Sequence, residues 1–177
     1  MVPEAPLAQS GNGLAPAGAG WFVLNARDAR WRNSPFGAYT TFEGAGDAKF
    51  TQVGFGIGVL QPGQPNCRYH REDMQEDFLV VSGECLLLVE EQERRLKAWD
   101  FVHCPPGTDH VFVGAGDGPC VVIAVGARPT KAIVYPESEL ARRYGAGVQK
   151  ETSDPREAYA GVEPDEDVEF RHEWLPS

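Results

Sequence analysis

After Asp77 the chain reads Phe-Leu-Val-Val, then Ser-Gly-Glu, then Cys-Leu-Leu-Leu-Val: short apolar runs bounded by turn residues and without helical period, the texture of buried strands. Glu76, Phe78 and Val80 share one face, Gly83 turns the chain, and Cys85 to Val89 runs on to a turn near Glu91-Gln92. Upstream, Trp21 to Leu24 and Gly37 to Glu43 predict short strands. Phe50 to Leu60 sets Phe55, Ile57 and Val59 against Gly54, Gly56 and Gly58, the pattern of a strand whose second face meets another backbone closely. Downstream, residues 94–97, 100–104, 110–113 and 120–125 follow at the regular short spacing of an all-β barrel or sandwich. Lys131 to Tyr135 predicts an outer strand, and Glu137 to Tyr144 a short helix ended by Gly145.

This pattern delimits three parts: a disordered or loosely draped arm (1–18), a β domain (19–135) and a C-terminal extension (136–177). The arm is rich in Ala, Gly and Pro, with little apolar bulk to offset the entropy of ordering. Residues 151–177 carry nine acidic and two basic side chains, which suits a solvated, partly ordered tail rather than a second domain. Trp174 and Leu175 are placed to dock that tail on the domain or on a neighbouring subunit. No internal repeat is present.

The 177 residues suffice for one domain with its own core, and the 20 glycines and 14 prolines agree with short strands and tight turns. A formal net charge of -10 argues against nucleic acid and anionic membrane as partners. Apolar stretches are strand-sized, too short to span a bilayer. Met1 to Gly20 lacks the basic start and apolar run of a signal peptide. A soluble, cytoplasmic protein is expected. Cys67, Cys85, Cys104 and Cys120 form no Cys-x-x-Cys pair and read as small buried fillers.

Candidate chemistry gathers in two stretches. The first holds Pro62-Gly63, His70-Arg71-Glu72-Asp73-Met74-Gln75-Glu76 and Gly83. The second is Trp99-Asp100-Phe101-Val102-His103-Cys104-Pro105-Pro106-Gly107-Thr108-Asp109-His110. The arrangement resembles the paired motifs of the cupin superfamily: His-x-His, three or four residues, Glu, six residues, Gly, and later Pro-x-Gly-x-x-His. Glu76 to Gly83 and Pro105 to His110 fit that spacing. At the second histidine of the pair this chain has Glu72. The resemblance covers roughly residues 20–130 and extends to small bacterial single-domain cupins. It implies an all-β cupin barrel (a double-stranded β-helix, or jelly roll), here with a short C-terminal helix and acidic tail. It also implies one divalent metal ion held inside by His and Glu side chains.

Strand alternation directs His70 and Glu72 to one side, Glu76 reaches the same interior from the next strand, and His110 follows a Pro-Pro-Gly turn that starts a facing strand. The expected metal set is therefore His70, Glu72, Glu76 and His110, with Gln75 as the substitute oxygen donor if Glu72 turns to solvent. Four ligands suit Zn, Mn or Ni equally, and a two-His, one-carboxylate face suits Fe. His103 is expected in a supporting hydrogen bond and His172 at the surface. Of Arg68 and Tyr69 at least one should point inward, Arg68 being either a partner for an anionic substrate or a surface cation. Phe78, Val80 and Phe112 are expected pocket walls.

The resemblance implies a mononuclear metal-dependent enzyme of dioxygenase, isomerase or lyase type acting on a small organic molecule. The alternative is a non-catalytic small-ligand-binding or sensing module. A DNA-reading helix pair does not fit in the first twenty residues. The retained His70, Glu76 and His110 argue against a metal-free structural barrel. A homodimer is expected, with Trp21, Phe22, Trp31 and Phe36 as its apolar area.

Overall fold

The computed structural model describes residues 1–128 and 132–175. Its strands are β1 (Leu7–Ser10), β2 (Gly13–Pro16), β3 (Trp31–Ser34), β4 (Gly37–Thr41), β5 (Val53–Leu60), β6 (Arg71–Glu72), β7 (Glu76–Ser82), β8 (Glu84–Val89), β9 (Gln92–Lys97), β10 (Phe101–Cys104), β11 (His110–Ala115), β12 (Cys120–Ala127), β13 (Ile133–Val134) and β14 (Glu166–Val168). Helices α1 (Glu139–Arg143) and α2 (Pro155–Ala158) lie between β13 and β14. The order β10-β7-β12-β5-β4-β3-β14 makes a seven-stranded sheet, β11-β8-β9 a three-stranded one, and β1-β2 and β13-β6 are pairs.

Alternation sorts the side chains between these sheets. Phe78 and Val80 of β7, Leu60 of β5 and Val122 of β12 leave the larger sheet on one face and meet Cys85 and Leu87 of β8 and Phe112 of β11 from the smaller. That apolar cluster is the core. Gly83 makes the turn between β7 and β8 with φ +73°, and a Cβ there would stand 2.3 Å from the Pro119 carbonyl oxygen, so both its handedness and its small size are used. On the far face of the smaller sheet, Leu88, Val111 and Val113 pack with Tyr69 and with Leu140 and Ala141 of α1.

The far face of the larger sheet is apolar too. Trp31, Ala38, Val59 and Val121 pack there under Trp174, whose ring centroid lies 5.1 Å from that of Trp31. Trp31 is therefore core, not the subunit surface expected of it. β14 pairs with β3, so the acidic extension is held by a strand as well as by Trp174. Past Trp174 the same face stays open toward Trp99 (74% exposed) and Phe101 (64% exposed).

Other expectations change. The N-terminal arm is an ordered hairpin, β1-β2, tied down by backbone bonds: Ala5 N–H donates to Trp21 O (2.8 Å), Leu14 N–H to Asp28 O (2.8 Å) and Arg30 N–H to Leu14 O (3.1 Å). Backbone pairing orders it where side-chain burial would not. Trp21 to Leu24 is no strand; Trp21 makes one isolated bridge to Glu4. The outer strand expected from Lys131 is the two-residue β13, with Lys131 itself outside the described residues. All four cysteines are free. Among the described residues no helix is long and apolar enough to cross a membrane.

Arg68 points neither into the core nor freely into water. Its Nε donates to Ala158 O (3.1 Å), its Nη1 to Gly145 O (3.0 Å) and Gly147 O (3.2 Å), and its guanidinium lies 5.3 Å over the Phe36 ring. One side chain thus clamps three carbonyls of the C-terminal extension. Arg68→Ala is expected to destabilise the protein by about 2–4 kcal/mol in urea unfolding, because it strips a charged donor from all three. Limited proteolysis of that variant should cut first between residues 145 and 160; unchanged cleavage would mean the extension is held elsewhere.

Candidate metal centre

Glu76 opens β7 and His110 opens β11, so both stand at the same end of the gap between the sheets. Their direction follows from parity: Glu76 is two residues from inward-facing Phe78, and His110 two from inward-facing Phe112. His70 lies opposite His110 in a reciprocal bridge, His70 N–H to His110 O (3.1 Å) and His110 N–H to His70 O (2.8 Å). The two rings sit 4.9 Å apart. Gly107, with φ +86°, follows Pro105-Pro106 and donates its own N–H to Glu72 O (2.8 Å), which sets the approach to His110.

The ring orientations are decided by backbone carbonyls. His70 Nδ1 lies 2.8 Å from Arg68 O and His110 Nδ1 3.0 Å from Thr108 O. A carbonyl only accepts, so each Nδ1 carries the proton and each Nε2 is left with a lone pair. Both lone pairs face one carboxylate oxygen: Glu76 Oε2 is 3.5 Å from His110 Nε2 and 3.8 Å from His70 Nε2. The three donor atoms all lie within 4.8 Å of one another. Donors sharing an ion at bond lengths near 2.0–2.1 Å stand about 3.3 Å apart in a tetrahedral set. Two neutral imidazoles and a carboxylate, converging at nearly that spacing, fit a divalent first-row metal.

The electrostatics agree. Burial, and then the neighbouring His110, lower His70 to about 4, and burial also lowers His110, so both rings are neutral at pH 7. Burial, and then the Glu72 charge, push Glu76 up to about 8. The gap disfavours a bare carboxylate, so an entering cation has to take the place of the Glu76 proton.

Glu72 lies outside the converging set. Burial and then Asp73 raise its carboxyl, while Arg128 pulls it back down. Arg128 is itself held by Glu43 (Nη1 to Oε2, 2.6 Å). Gln75 turns outward and donates to Asp77. His103 is half-exposed on the outer face, with Nδ1 2.7 Å from Asp77 Oδ1, so its hydrogen bond goes to Asp77 and not to one of the three converging donors. His172 is exposed in the tail. Tyr69 is buried, its hydroxyl accepting from Glu91 N–H (3.2 Å).

Walls and floor complete the site. The Phe78 ring lies 5.2 Å from His110 and the Phe112 ring 6.4 Å, both buried as expected. Gly126 is Glu76's partner across β12, and Gly54 pairs with Gly126 in turn. The glycine face of β5 continues this floor, and at Gly56 it meets another backbone as expected, since a Cβ there would stand 3.2 Å from Thr40 O. At Gly54 the Arg128 guanidinium crosses it, so near that a Cβ would stand 2.7 Å from Arg128 Nε. Arg128, and Tyr135 beside His70 with ring centroids 6.1 Å apart, escaped the sequence reading because neither belongs to a motif.

Residues 56–126, which include all three converging donors, match the cupin domain family. No curated protein matches the chain by sequence. Among solved structures, a polyketide cyclase from Streptomyces resistomycificus is similar at 14% identity and TM-score 0.52, covering 61% of this chain and 81% of that one. A cupin 2 domain-containing protein from Halorhodospira halophila is similar at 17% identity and TM-score 0.50, covering 61% and 75%. A protein from Acidithiobacillus ferrooxidans is 22% identical with TM-score 0.48, over 56% of this chain and 65% of its own, just under two thirds of its length. The motif spacing, the two-sheet fold and the family match agree that residues 56–126 form a cupin domain.

Proposed function

We propose that the chain binds one divalent metal ion through Nε2 of His70, Nε2 of His110 and the carboxylate of Glu76, and that it is a metal-dependent enzyme acting on a small organic molecule. The observation that carries this is the pair of imidazole lone pairs aimed at one carboxylate oxygen, with both Nδ1 protons committed to backbone carbonyls. Three protein donors leave positions open for a ligand, the arrangement that separates catalytic from purely structural sites. When bound, such an ion supplies Lewis acidity and, for iron, redox chemistry. The protein's own groups do the rest. Phe78 and Phe112 keep water from the back of His110. With Glu76 committed to the metal, Glu72 is the neighbouring carboxylate free to take or give a proton, and its raised pKa suits that work.

Elemental analysis of untagged protein tests the donor set. His70→Ala and His110→Ala should each abolish stoichiometric metal, and Glu76→Ala should weaken binding by roughly two orders of magnitude or more. Glu72→Gln should keep one metal per chain; its loss there would make Glu72 the fourth ligand. All four variants should keep the parent far-UV spectrum, because the core is built of other residues.

The pH dependence has a definite sign. Metal-free Glu76 keeps its proton up to about pH 8, so a cation entering below that pH displaces one proton. His70 is already neutral above about 4 and contributes no slope there. Apparent affinity, measured by chelator competition, should rise roughly tenfold per pH unit from mildly acid conditions to about pH 8 and then level off. Glu76→Gln should flatten that slope.

A second copy of the chain is the proposed occupant of the open outer face. Phe101, Leu79, Ile123 and Ile57 are aligned across β10, β7, β12 and β5, with Phe55 and Val125 in the next row. Trp99, exposed beside them, has a left-handed backbone (φ 77°), a strained conformation for a bulky residue that presents the indole at this edge. Large aromatic side chains bury about 150–250 Å² each, so two such faces reach the roughly 1,200 Å² of a stable interface. Sedimentation should give a dimer at tens of micromolar, and Phe101→Asp with Trp99→Ser should give a folded monomer. A dimer that survives both changes would place the interface elsewhere.

A further inference from the structure

Tyr135 offers a polar group for which the metal site has so far no use. It follows β13 directly, outside the family-matched segment, and is only 4% exposed. Its backbone is fully spent on Thr152: Tyr135 N–H donates to Thr152 O (2.9 Å), and Thr152 N–H to Tyr135 O (3.1 Å). Its ring is held between His70, 6.1 Å away at 42°, and Tyr159, 5.8 Å away and edge-on at 87°. A ring packed on both sides cannot turn its hydroxyl elsewhere.

The chain has five tyrosines. Tyr39 donates to Asp165 and Tyr144 to Glu93, while Tyr69 accepts from Glu91 N–H and Tyr159 from Arg68 N–H. Tyr135 alone has a hydroxyl with no hydrogen bond to any described residue. Nor is that oxygen sealed in the core, for the one enclosed unpartnered side-chain atom among the described residues is Arg32 Nε. The hydroxyl therefore opens onto accessible space. Because the ring stands against His70, that space adjoins the His70 side of the site.

We infer that the Tyr135 hydroxyl is a positioning residue that donates a hydrogen bond to an oxygen of a small carboxylate or carbonyl ligand lying against His70. The inference rests on the three-donor metal reading, since the ligand is placed by the metal's open side. It also explains why an otherwise buried phenol is left without a protein partner, which is costly unless a ligand or water completes it.

The test uses full-length protein loaded with cobalt(II), whose visible spectrum reports ligands entering the site, and acetate as the probe. In the parent protein acetate should perturb the spectrum. Tyr135→Phe, which keeps the ring and removes only the hydroxyl, should weaken acetate binding roughly tenfold while cobalt affinity stays within about twofold. Equal acetate affinity in both proteins would overturn the inference while leaving the metal reading intact. So would a fall in cobalt affinity as large as the fall in acetate affinity, because Tyr135 would then be supporting His70, or an acetate-silent spectrum in the parent. Failure of the parent to take up cobalt would overturn both readings.

Discussion

Two backbone hydrogen bonds, exchanged between His70 and His110, hold the site together. They end a run of bonds along β11, in which Gly114 N–H donates to Gln64 O (2.9 Å), Asn66 N–H to Phe112 O (2.9 Å) and Phe112 N–H to Asn66 Oδ1 (2.9 Å), so the segment reaches the smaller sheet already in register. The reciprocal bridge sets the rings side by side, and the Arg68 and Thr108 carbonyls set their tautomers. None of these bonds needs an ion. The donors are preorganised by the main chain, and so the entropy of assembling them is met during folding rather than at binding.

The same arrangement explains how an apolar gap tolerates three polar groups. At neutral pH, His70 and His110 are uncharged and Glu76 holds its proton, so the triad carries no formal charge without metal. Charge returns only with a compensating cation. Glu72 sits to one side of this exchange, balanced by Arg128, which Glu43 in turn holds. The Glu43–Arg128–Glu72 row brings net negative charge to the mouth of the gap, complementary to an entering cation.

Period-two reasoning worked where apolar neighbours mark the inside. Phe78 and Phe112 are core residues, and Glu76 and His110 inherit their direction. It worked less well for Glu72, where the strand is too short for alternation to govern and a cation 56 positions away competes for the side chain. The N-terminal hairpin was invisible because it is ordered by main-chain bonds, on which composition is silent. The burial of Trp31 leaves no local mark because its cover, Trp174, comes from the far end of the chain. Arg68 misled for a related reason: its partners are carbonyls of residues 145, 147 and 158, and a carbonyl leaves no mark in a sequence. What escaped in every case is a long-range contact made by a group that every residue has, or by one aromatic residue among several.

The Arg68 clamp has a consequence for how such a protein diversifies. The metal donors lie in one stretch of chain, and Tyr135 and Tyr159, which face or back the site, lie in another. Arg68, two residues before His70, fastens the second stretch to the first. Changes in the extension can then reshape that wall without disturbing the converging donors, provided that one guanidinium keeps its three carbonyls. The architecture separates the converging His70, Glu76 and His110 from the wall that the extension builds beside them, and it lets the two vary at different rates.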